Sequence, residues 1–435
     1  MAVADDFKTF LENLKITNGD QISDRYGRIT RALNRKYRGT ESKTDNSLQV
    51  GSYGRFTAIK NISDLDMIYE MPASQWDRFK EEGIGKQSAL LQEVKAAIQE
   101  SYPNTGMRGD GQVVVVSFGN QEVEVVPGFK QDDGSYKYPD AKNGGKWKST
   151  NPKAEIKAIS EANKTTQNVR RLCKMVRAWK RRQGVNMGGL LIDTLAFNFF
   201  LSTDKYNSKG YRSYDNLCRD FFEFLADQPD LNYYKAPGSR QQAAGSRQHV
   251  YVKSKFQRKA RKAYNLCLRA IEAEGKASAN KNWKQIFGRN FPAATTVVAA
   301  REARTWRDTE EFIEDKYPIE IRYNMSIDCR VEQKGFQTHW LTQMLAKKLP
   351  LLANKKLEFS VTRIDVPQPY EIEWKVMNQG PMAEQRDEIR GQIWRDTGHQ
   401  KRRESTTFKG GHLVECYAIK DGFVVARDSI DVPIR

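Results

Sequence analysis

The stretch SLQVGSYGRFTAIKNISDLDMIYEMP, residues 47–72, contains a Gly-Ser pair. After eleven intervening residues, two aspartates follow that flank one leucine. Its pattern predicts a strand, a turn, a short helix and a second strand. Alternate residues of a strand share a face, so Asp64 and Asp66 should point to the same side, while Leu65 anchors the strand in a sheet. Two adjacent like charges are unfavourable unless a cation lies between them, and Mg²⁺ prefers such carboxylate ligands. The stretch therefore predicts a metal site.

A third carboxylate would allow two metal ions about 3.5–4 Å apart, the arrangement used for in-line phosphoryl or nucleotidyl transfer. The segment QEVEVVPGF, residues 121–129, offers Glu122 and Glu124 on another predicted strand. The Gly51-Ser52 turn supplies the complementary part, because glycine lets backbone N–H groups approach phosphate oxygens and Ser52 adds a hydroxyl donor. The pattern thus predicts that the turn binds a triphosphate and that the carboxylates bind the metals acting on it.

Composition is consistent with such a ligand. The 435 residues carry a formal net charge of +18, which favours polyanionic ligands, although a basic surface that only confers solubility explains the charge equally well. The five cysteines lie far apart without a CxxC pair, which indicates reduced thiols rather than disulfides or a structural zinc site. The N-terminus has no signal-peptide pattern, and the most apolar run, GGLLIDTLAFNFFL, is too short to span a bilayer. We therefore expect a cytoplasmic protein that has no membrane partner.

Patterning predicts an α+β chain of three domains. Residues 1–150 contain a basic amphipathic helix over residues 20–37, several strands, and a Gly-, Asp- and Lys-rich segment over 128–150 interpreted as a loop. Residues 151–290 are predicted to form a helical lobe, which Asn151 and Pro152 open as cap and first-turn proline. Residues 305–435 alternate with period two and predict a β-rich domain, of the kind found in sandwiches, after a linker around residues 288–308.

The order of Gly-Ser, spacer, Asp-x-Asp and a later acidic strand resembles the signature of polymerase-β-like nucleotidyltransferases. Five segments together are similar to the oligoadenylate-synthase and cyclic GMP-AMP-synthase branch, above all to the bacterial CD-NTases of anti-phage systems. These segments are VGSYGRFTAI, SDLDMIY, VEVVPGF, KWKSTNP and LCKMVRAWK. The resemblance covers roughly residues 20–275. It implies a polymerase-β-like core completed by a helical lobe around a nucleotide cleft.

The resemblance also implies site residues. The third metal ligand of the family lies three residues before a proline, which is Glu124 here, where relatives often have Asp; Glu122 is the fallback. A basic residue two positions before the tryptophan of RLCKMVRAWK reaches the donor triphosphate in relatives. That residue is Arg177, and Lys174, one helical turn earlier, is a second candidate contact. The implied cofactor is Mg²⁺ or Mn²⁺, as two ions on Asp64, Asp66 and Glu124.

Residues from about 305 resemble the AGS-C sensor domain that accompanies adenylyl/guanylyl cyclases and CD-NTases, which implies recognition of a nucleotide signal. Candidate contacts there are an aromatic and three basic side chains, although packing in a core explains the first and solvation the others equally well. They are Trp374, Arg390, Arg402 and Arg403.

The function expected from these observations is synthesis of a cyclic or short linear oligonucleotide messenger from nucleoside triphosphates, ATP among them. Expected partners are an effector protein that reads the product and a nucleic-acid activator, for which the basic segment KSKFQRKARKAY is a candidate surface. Two alternatives stay open at this point. One is an RNA-tailing or small-molecule-modifying nucleotidyltransferase, and the other is a catalytically silent sensor that binds nucleic acid.

Overall fold

A computed structural model describes residues 2–62, 64–119, 121–239, 249–294, 310–332, 338–353, 355–378, 381–386, 388–406 and 409–434. The linker predicted around residues 288–308 lies largely outside these ranges. The helices are α1 (Ala2–Asn13), α2 (Gly19–Arg38), α3 (Gly51–Gly54), α4 (Trp76–Phe79), α5 (Lys86–Gln99), α6 (Pro152–Thr166), α7 (Val169–Gln183), α8 (Gly189–Ser202), α9 (Tyr214–Ala226), α10 (Gln257–Glu272), α11 (Ala277–Phe287), α12 (Ile313–Lys316), α13 (Leu341–Ala346) and α14 (Pro381–Gln385). Short 3₁₀ turns span Ala73–Gln75, Lys142–Gly144 and Tyr211–Ser213.

The strands form a mixed sheet, two antiparallel sheets and a two-stranded ribbon. They are β1 (Ser47–Gln49), β2 (Asp64–Glu70), β3 (Gly106–Asp110), β4 (Val113–Ser117), β5 (Glu122–Lys130), β6 (Tyr136–Asp140), β7 (Lys146–Thr150), β8 (Tyr233–Lys235), β9 (His249–Tyr251), β10 (Met325–Glu332), β11 (His339–Trp340), β12 (Lys356–Ile364), β13 (Glu371–Asn378), β14 (Arg390–Arg395), β15 (Lys401–Ser405), β16 (Gly410–Lys420) and β17 (Phe423–Ile434). The predicted α+β class is therefore confirmed.

The mixed sheet of seven strands positions the candidate site. Its order is β1-β2-β5-β4-β3, and the β6–β7 hairpin extends from β5. Strands β2 and β5 run parallel, as expected of strands separated by a helical crossover. Leu65, Met67 and Tyr69 of β2 are fully buried against the apolar faces of α2 and α5, so this face of the sheet is the core of the domain. The two aspartates lie on the opposite face of β2.

The segment interpreted as a loop over residues 128–150 is instead partly regular, and that interpretation is wrong. It contains the end of β5 and the antiparallel hairpin of β6 and β7, in which Tyr138 is paired with Lys148. Aromatic side chains within this polar segment explain the difference. Tyr136 is buried, and the Trp147 ring packs against the Phe129 ring with centroids 5.5 Å apart, so burial outweighs the turn-forming composition.

The helical part of the chain follows the predicted pattern. Asn151 caps α6, its side-chain oxygen accepting a hydrogen bond from the Ala154 amide at 3.1 Å, and Pro152 occupies the first turn. Helix α7 has an apolar face, and its Trp179 is fully buried. Helix α11 lies within the stretch 151–290 that was predicted to be helical.

The structure divides into two compact units. The first consists of residues 1–178, 187–274 and 282–292, and the second of residues 179–186, 275–281 and 293–435. The predicted boundary near residue 150 lies inside the first unit, so a division between 1–150 and 151–290 stays a prediction. Within the described ranges, no helix combines the length and the apolar character needed to cross a bilayer.

The second unit contains the β-rich region predicted for residues 305–435. Its two four-stranded sheets have the orders β11-β10-β12-β15 and β14-β13-β16-β17. Both contribute to one buried cluster, for example Phe359 from the first sheet and Val414 and Ile430 from the second, as in a sandwich. Alternation with period two therefore identified this region correctly.

Candidate active site

Four carboxylates lie on one face of the mixed sheet, at one end of β2 and β5. The parallel register places Asp64 beside Glu122 and Asp66 beside Glu124. Side chains of paired residues in adjacent strands point to the same side, and both aspartates are half-buried there. The predicted sharing of a face is thus observed, and the parallel pairing of two distant segments adds the two glutamates to it.

The charge of the two aspartates is only partly compensated. Burial raises the pKa of the Asp66 carboxyl to about 6, and the neighbouring charge of Asp64 adds to this rise, while Arg55 opposes it. Oδ1 of Asp64 is buried and has no hydrogen-bond partner among the described residues. A buried carboxylate oxygen without a donor is unfavourable unless a cation binds it, so these residues fit a divalent metal ion.

The two glutamates differ in their surroundings. The Arg108 guanidinium donates to both carboxylate oxygens of Glu122, at 2.7 and 3.0 Å, and the Ser117 hydroxyl donates to one of them at 3.2 Å. Glu122 is therefore neutralised within the sheet. Among the described residues, no three His, Cys, Asp or Glu side chains are grouped as a metal site would require. Glu124 as a third ligand accordingly stays a prediction.

At Gly51 the backbone of the turn lies directly against the side chain of Asp66. Its φ of +62° is left-handed, and a Cβ added there would overlap Oδ2 of Asp66 and lie 2.5 Å from its Cγ. The Val50 amide donates to the Asp66 carbonyl oxygen at 3.0 Å, which holds the start of α3 against β2. Gly54 meets a similar restriction, because its Cβ would lie 2.8 Å from the carbonyl carbon of Gln49. The glycine turn is thus required because the backbone passes directly over a carboxylate.

We expect Gly51→Ala to lower activity about 100-fold, because a small misplacement at a reacting centre has effects of this size. It should also destabilise the fold by more than the roughly 1–2 kcal/mol of left-handed strain alone. Gly39→Ala is the matched control, since Gly39 has a φ of +64° but a Cβ there would meet nothing within 4 Å. Nucleotide turnover and thermal unfolding of both variants measure the difference. Equal behaviour of the two would contradict the close approach.

Ser52 lies in the first turn of α3, whose leading amides have no acceptors within the helix. Its carbonyl oxygen accepts hydrogen bonds from the amides of Thr57 and Ala58, at 2.9 and 3.1 Å, which fold the chain back after the turn. These hydrogen bonds fix the shape of the turn. Binding of phosphate by the Ser52 hydroxyl stays a prediction.

Arg177 is buried, and Asp193 binds its guanidinium. Nη1 donates to one carboxylate oxygen at 2.6 Å and Nη2 to the other at 3.0 Å, and Nη2 also donates to the Gly189 carbonyl oxygen at 3.0 Å. A contact of Arg177 with a triphosphate stays a prediction, and it would compete with this pairing.

Lys174, one turn earlier on α7, differs from Arg177. No hydrogen bond or ion pair of its ammonium group is found within the described part of the chain. Burial lowers the pKa of Lys174, and the cations Arg170, Lys15 and Arg177 lower it further. A half-buried, unpaired lysine among other cations is suited to an anionic ligand.

Sequence reasoning missed the buried network behind the turn. Arg55 donates through Nε to Asp193 at 2.7 Å, and its Nη1 lies 3.3 Å from Glu155; the Thr57 hydroxyl also donates to Asp193, at 3.0 Å. Burial alone would raise the pKa of Asp193, but Arg177 and Arg55 outweigh it and lower that pKa to about 2. Asp193 therefore connects the segment after the turn to α7. The feature of the sequence that could have indicated this network is a carboxylate inside a largely apolar helix.

Two family models match the chain. Residues 1–163 match the Second Messenger Oligonucleotide or Dinucleotide Synthetase domain, abbreviated SMODS. Residues 307–435 match the Adenylyl/Guanylyl and SMODS C-terminal sensor domain, abbreviated AGS_C. No curated protein matches the chain.

Solved structures with similar folds come from bacteria. The complex of E. coli MS115-1 CdnC with HORMA-deltaN aligns with a TM-score of 0.50 at 15% identity, over 67% of this chain and 98% of that chain. E. coli MS115-1 CdnC with ATP gives a TM-score of 0.49 at 14% identity, over 67% and 99%. The Bradyrhizobium diazoefficiens CD-NTase CdnG in complex with GTP gives 0.48 at 13% identity, over 66% and 95%. Likeness at such identity concerns the fold alone.

Proposed function

Because the chain is a CD-NTase, with a SMODS domain over residues 1–163 and an AGS_C sensor domain over residues 307–435, we propose that it joins nucleoside triphosphates into a cyclic or short linear oligonucleotide messenger. The observation that carries this proposal is the turn at Gly51, which passes directly over the carboxylate of Asp66 beside Asp64. This arrangement brings a phosphate-binding turn and a metal-binding pair together.

The cofactor in this proposal is Mg²⁺ or Mn²⁺, as two ions. Asp64 and Asp66 would hold it, with Glu124 as the third ligand; the orphaned Oδ1 of Asp64 and the uncompensated charge of the pair support this assignment. When bound, such ions stabilise the charge that develops on the α-phosphate and on the leaving pyrophosphate. The choice of Glu124 over Glu122 is supported by the two hydrogen bonds that Arg108 makes to Glu122.

The chain's own groups would position the donor nucleotide. The first amides of α3 and the Ser52 hydroxyl would bind triphosphate oxygens, because they lie beside the aspartates and lack acceptors within the helix. Lys174 would add a positive charge that no side chain in the described residues neutralises. Arg177 would contribute only by exchanging part of its contact with Asp193 for phosphate. Holding the reacting groups in this way supplies much of the rate enhancement in phosphoryl transfer.

The decisive experiment incubates the purified full chain with all four labelled nucleoside triphosphates and Mg²⁺ or Mn²⁺, with and without added RNA. We expect a short, released product that forms without a primer, and nuclease mapping with mass spectrometry would identify its bases and linkages. Label that enters only added RNA would instead establish the tailing alternative. Unreacted triphosphates under every condition, with the protein folded, would favour the silent sensor.

The partners of the proposal are an effector protein that reads the product and a nucleic-acid activator, within a role in anti-phage defence. A solved relative is in complex with a HORMA protein, and others are bound to ATP or GTP, which supports triphosphate substrates and a protein partner. The basic segment at residues 253–264 is the candidate activator surface. Two of its cations, Lys255 and Arg261, already pair with Asp230 and Asp227, which weakens that candidacy.

The sensor domain would recognise a nucleotide, in line with its family. The candidate contacts chosen from the sequence do not support this role. Trp374 is 1% exposed and belongs to the core, and the three arginines form ion pairs with Glu404 or Glu358 at 2.7–2.9 Å. The interpretation of Trp374 as an exposed contact is therefore wrong, and core packing is confirmed.

A further inference from the structure

A cavity of about 450 Å³ opens at the opposite end of β2 from the aspartates. Its cationic lining residues are Arg38, Lys130 and Lys137, and Glu70 is its acidic one. The rest of the lining includes Met71 and Phe129, which are almost fully buried, and Trp76, which is half-buried. A concave site of this volume with a few charged groups is large enough for a small organic ligand.

This cavity is separate from the candidate active site. Glu70 is six residues beyond Asp64 on the same strand, a distance of about 20 Å at the usual rise per residue. Between them, Ile68 packs in a small buried cluster with Val50 and Tyr136. A ligand of the cavity would therefore not occupy the place of the donor nucleotide.

The three cations of the cavity have no ion-pair partner within the described ranges. Nη2 of Arg38 donates to the carbonyl oxygen of Glu70 at 2.8 Å, but its Nε is buried without a hydrogen bond. Nζ of Lys137 lies 5.3 Å from the centroid of the Trp76 ring, which attracts the cation without neutralising it. The carboxylate of Glu70 instead accepts a hydrogen bond from the Tyr136 hydroxyl at 3.2 Å.

The charge balance identifies the class of ligand. Three cations against one carboxylate leave an excess of two positive charges in the cavity. A phosphate monoester carries a charge of about −1.5 to −2 near neutral pH and accepts hydrogen bonds from both Arg and Lys. The half-buried ring of Trp76, which packs edge-on against the buried Phe129 ring at a centroid distance of 5.0 Å, is an aromatic surface in this lining for a planar group.

We propose that this cavity binds a nucleoside 5′-phosphate, with the phosphate between Arg38, Lys130 and Lys137 and the base toward the ring of Trp76. The same chemistry occurs in a free mononucleotide and at the 5′ end of a nucleic-acid strand. Binding here needs neither the metals nor the aspartates of the proposed active site.

The test titrates AMP, adenosine and the 5′-phosphorylated dinucleotide pApA into the full chain by calorimetry, with EDTA present so that no divalent ion supports binding elsewhere. We expect Lys130→Glu/Lys137→Glu to weaken AMP at least tenfold, and the milder Lys130→Gln/Lys137→Gln to weaken it less. Lys8→Glu/Lys146→Glu is the matched control, because both lysines are exposed, neither lines the cavity, and the charge change is identical. The control and Asp64→Asn/Asp66→Asn should bind AMP within twofold of the wild type.

The outcomes separate this site from the active site. Adenosine should not bind measurably, because the phosphate supplies the charge; equal affinity for adenosine and AMP would overturn the proposal. The proposal would also be overturned if the wild type did not bind AMP. It would likewise be overturned if the aspartate substitutions abolished AMP binding while the lysine substitutions left it intact. If pApA binds more tightly than AMP, the natural ligand is the 5′ end of a strand. If AMP binds more tightly than pApA, the natural ligand is a free mononucleotide.

Discussion

Asp64→Asn/Asp66→Asn should reduce oligonucleotide synthesis at least about 1000-fold, which corresponds to roughly 4 kcal/mol of lost transition-state stabilisation. The physical reason is that asparagine keeps the shape of the side chain but removes the charge that would hold the metals. Turnover of labelled nucleoside triphosphates by the purified variant measures this loss. It is the largest effect on activity that we expect from this chain.

The same variant should not lose stability. Burial and the charge of Asp64 raise the pKa of Asp66, which means that the folded protein disfavours the ionised carboxylate there. Removing both charges relieves this repulsion, so the melting temperature should stay the same or increase. Asp110→Asn/Asp132→Asn, at two exposed positions of the same unit, removes as much charge and should leave turnover unchanged. Turnover by the active-site variant near the wild-type level would refute the metal assignment.

Asp193→Asn should destabilise the protein by about 3–5 kcal/mol, because it leaves the buried guanidinium groups of Arg55 and Arg177 without their shared carboxylate. Arg55 keeps its contact with Glu155, at 3.3 Å, but Arg177 contacts no second carboxylate within the described residues. Thermal unfolding at neutral pH measures the effect. Asp77→Asn is the control, since Asp77 pairs with Lys80 at 2.8 Å on an exposed surface, where such a pair contributes less than about 1 kcal/mol.

The destabilisation should depend on pH in a defined direction. The pKa of Asp193 is lowered to about 2 in the folded protein, below the roughly 3.9 of an unfolded chain. The stabilising contribution is therefore present above about pH 4 and disappears as the pH falls toward 2. The difference in melting temperature between wild type and variant should shrink over that interval. A difference that stays constant from pH 6 to pH 3 would show that the charge of Asp193 is not what stabilises the network.

Some features of the site follow from the sequence only in part. Glu122 and Glu124 are separated by one residue, so the side-chain period of a strand makes them equivalent candidates for the third metal ligand. The structure shows that Arg108 of β3 binds Glu122, a contact between different strands that the period does not reveal. The hairpin of β6 and β7 was likewise hidden, since its polar composition resembles a loop and its stability comes from the Trp147 ring, which packs on β5 and on α4.

The sequence by itself determined that Asp64 and Asp66 share a face, that a glycine turn precedes them, and that the C-terminal region is β-rich. These are local properties, set by the side-chain period of a strand and the backbone freedom of glycine. Only the tertiary structure decided that Gly51 passes over Asp66, that Asp193 binds Arg55 and Arg177, and that three cations line one cavity. Arg55 and Asp193 are 138 residues apart, and no periodicity records which distant side chains will meet. Such contacts arise because the packing of buried apolar faces brings the segments together, and buried charges must then find partners where packing has placed them.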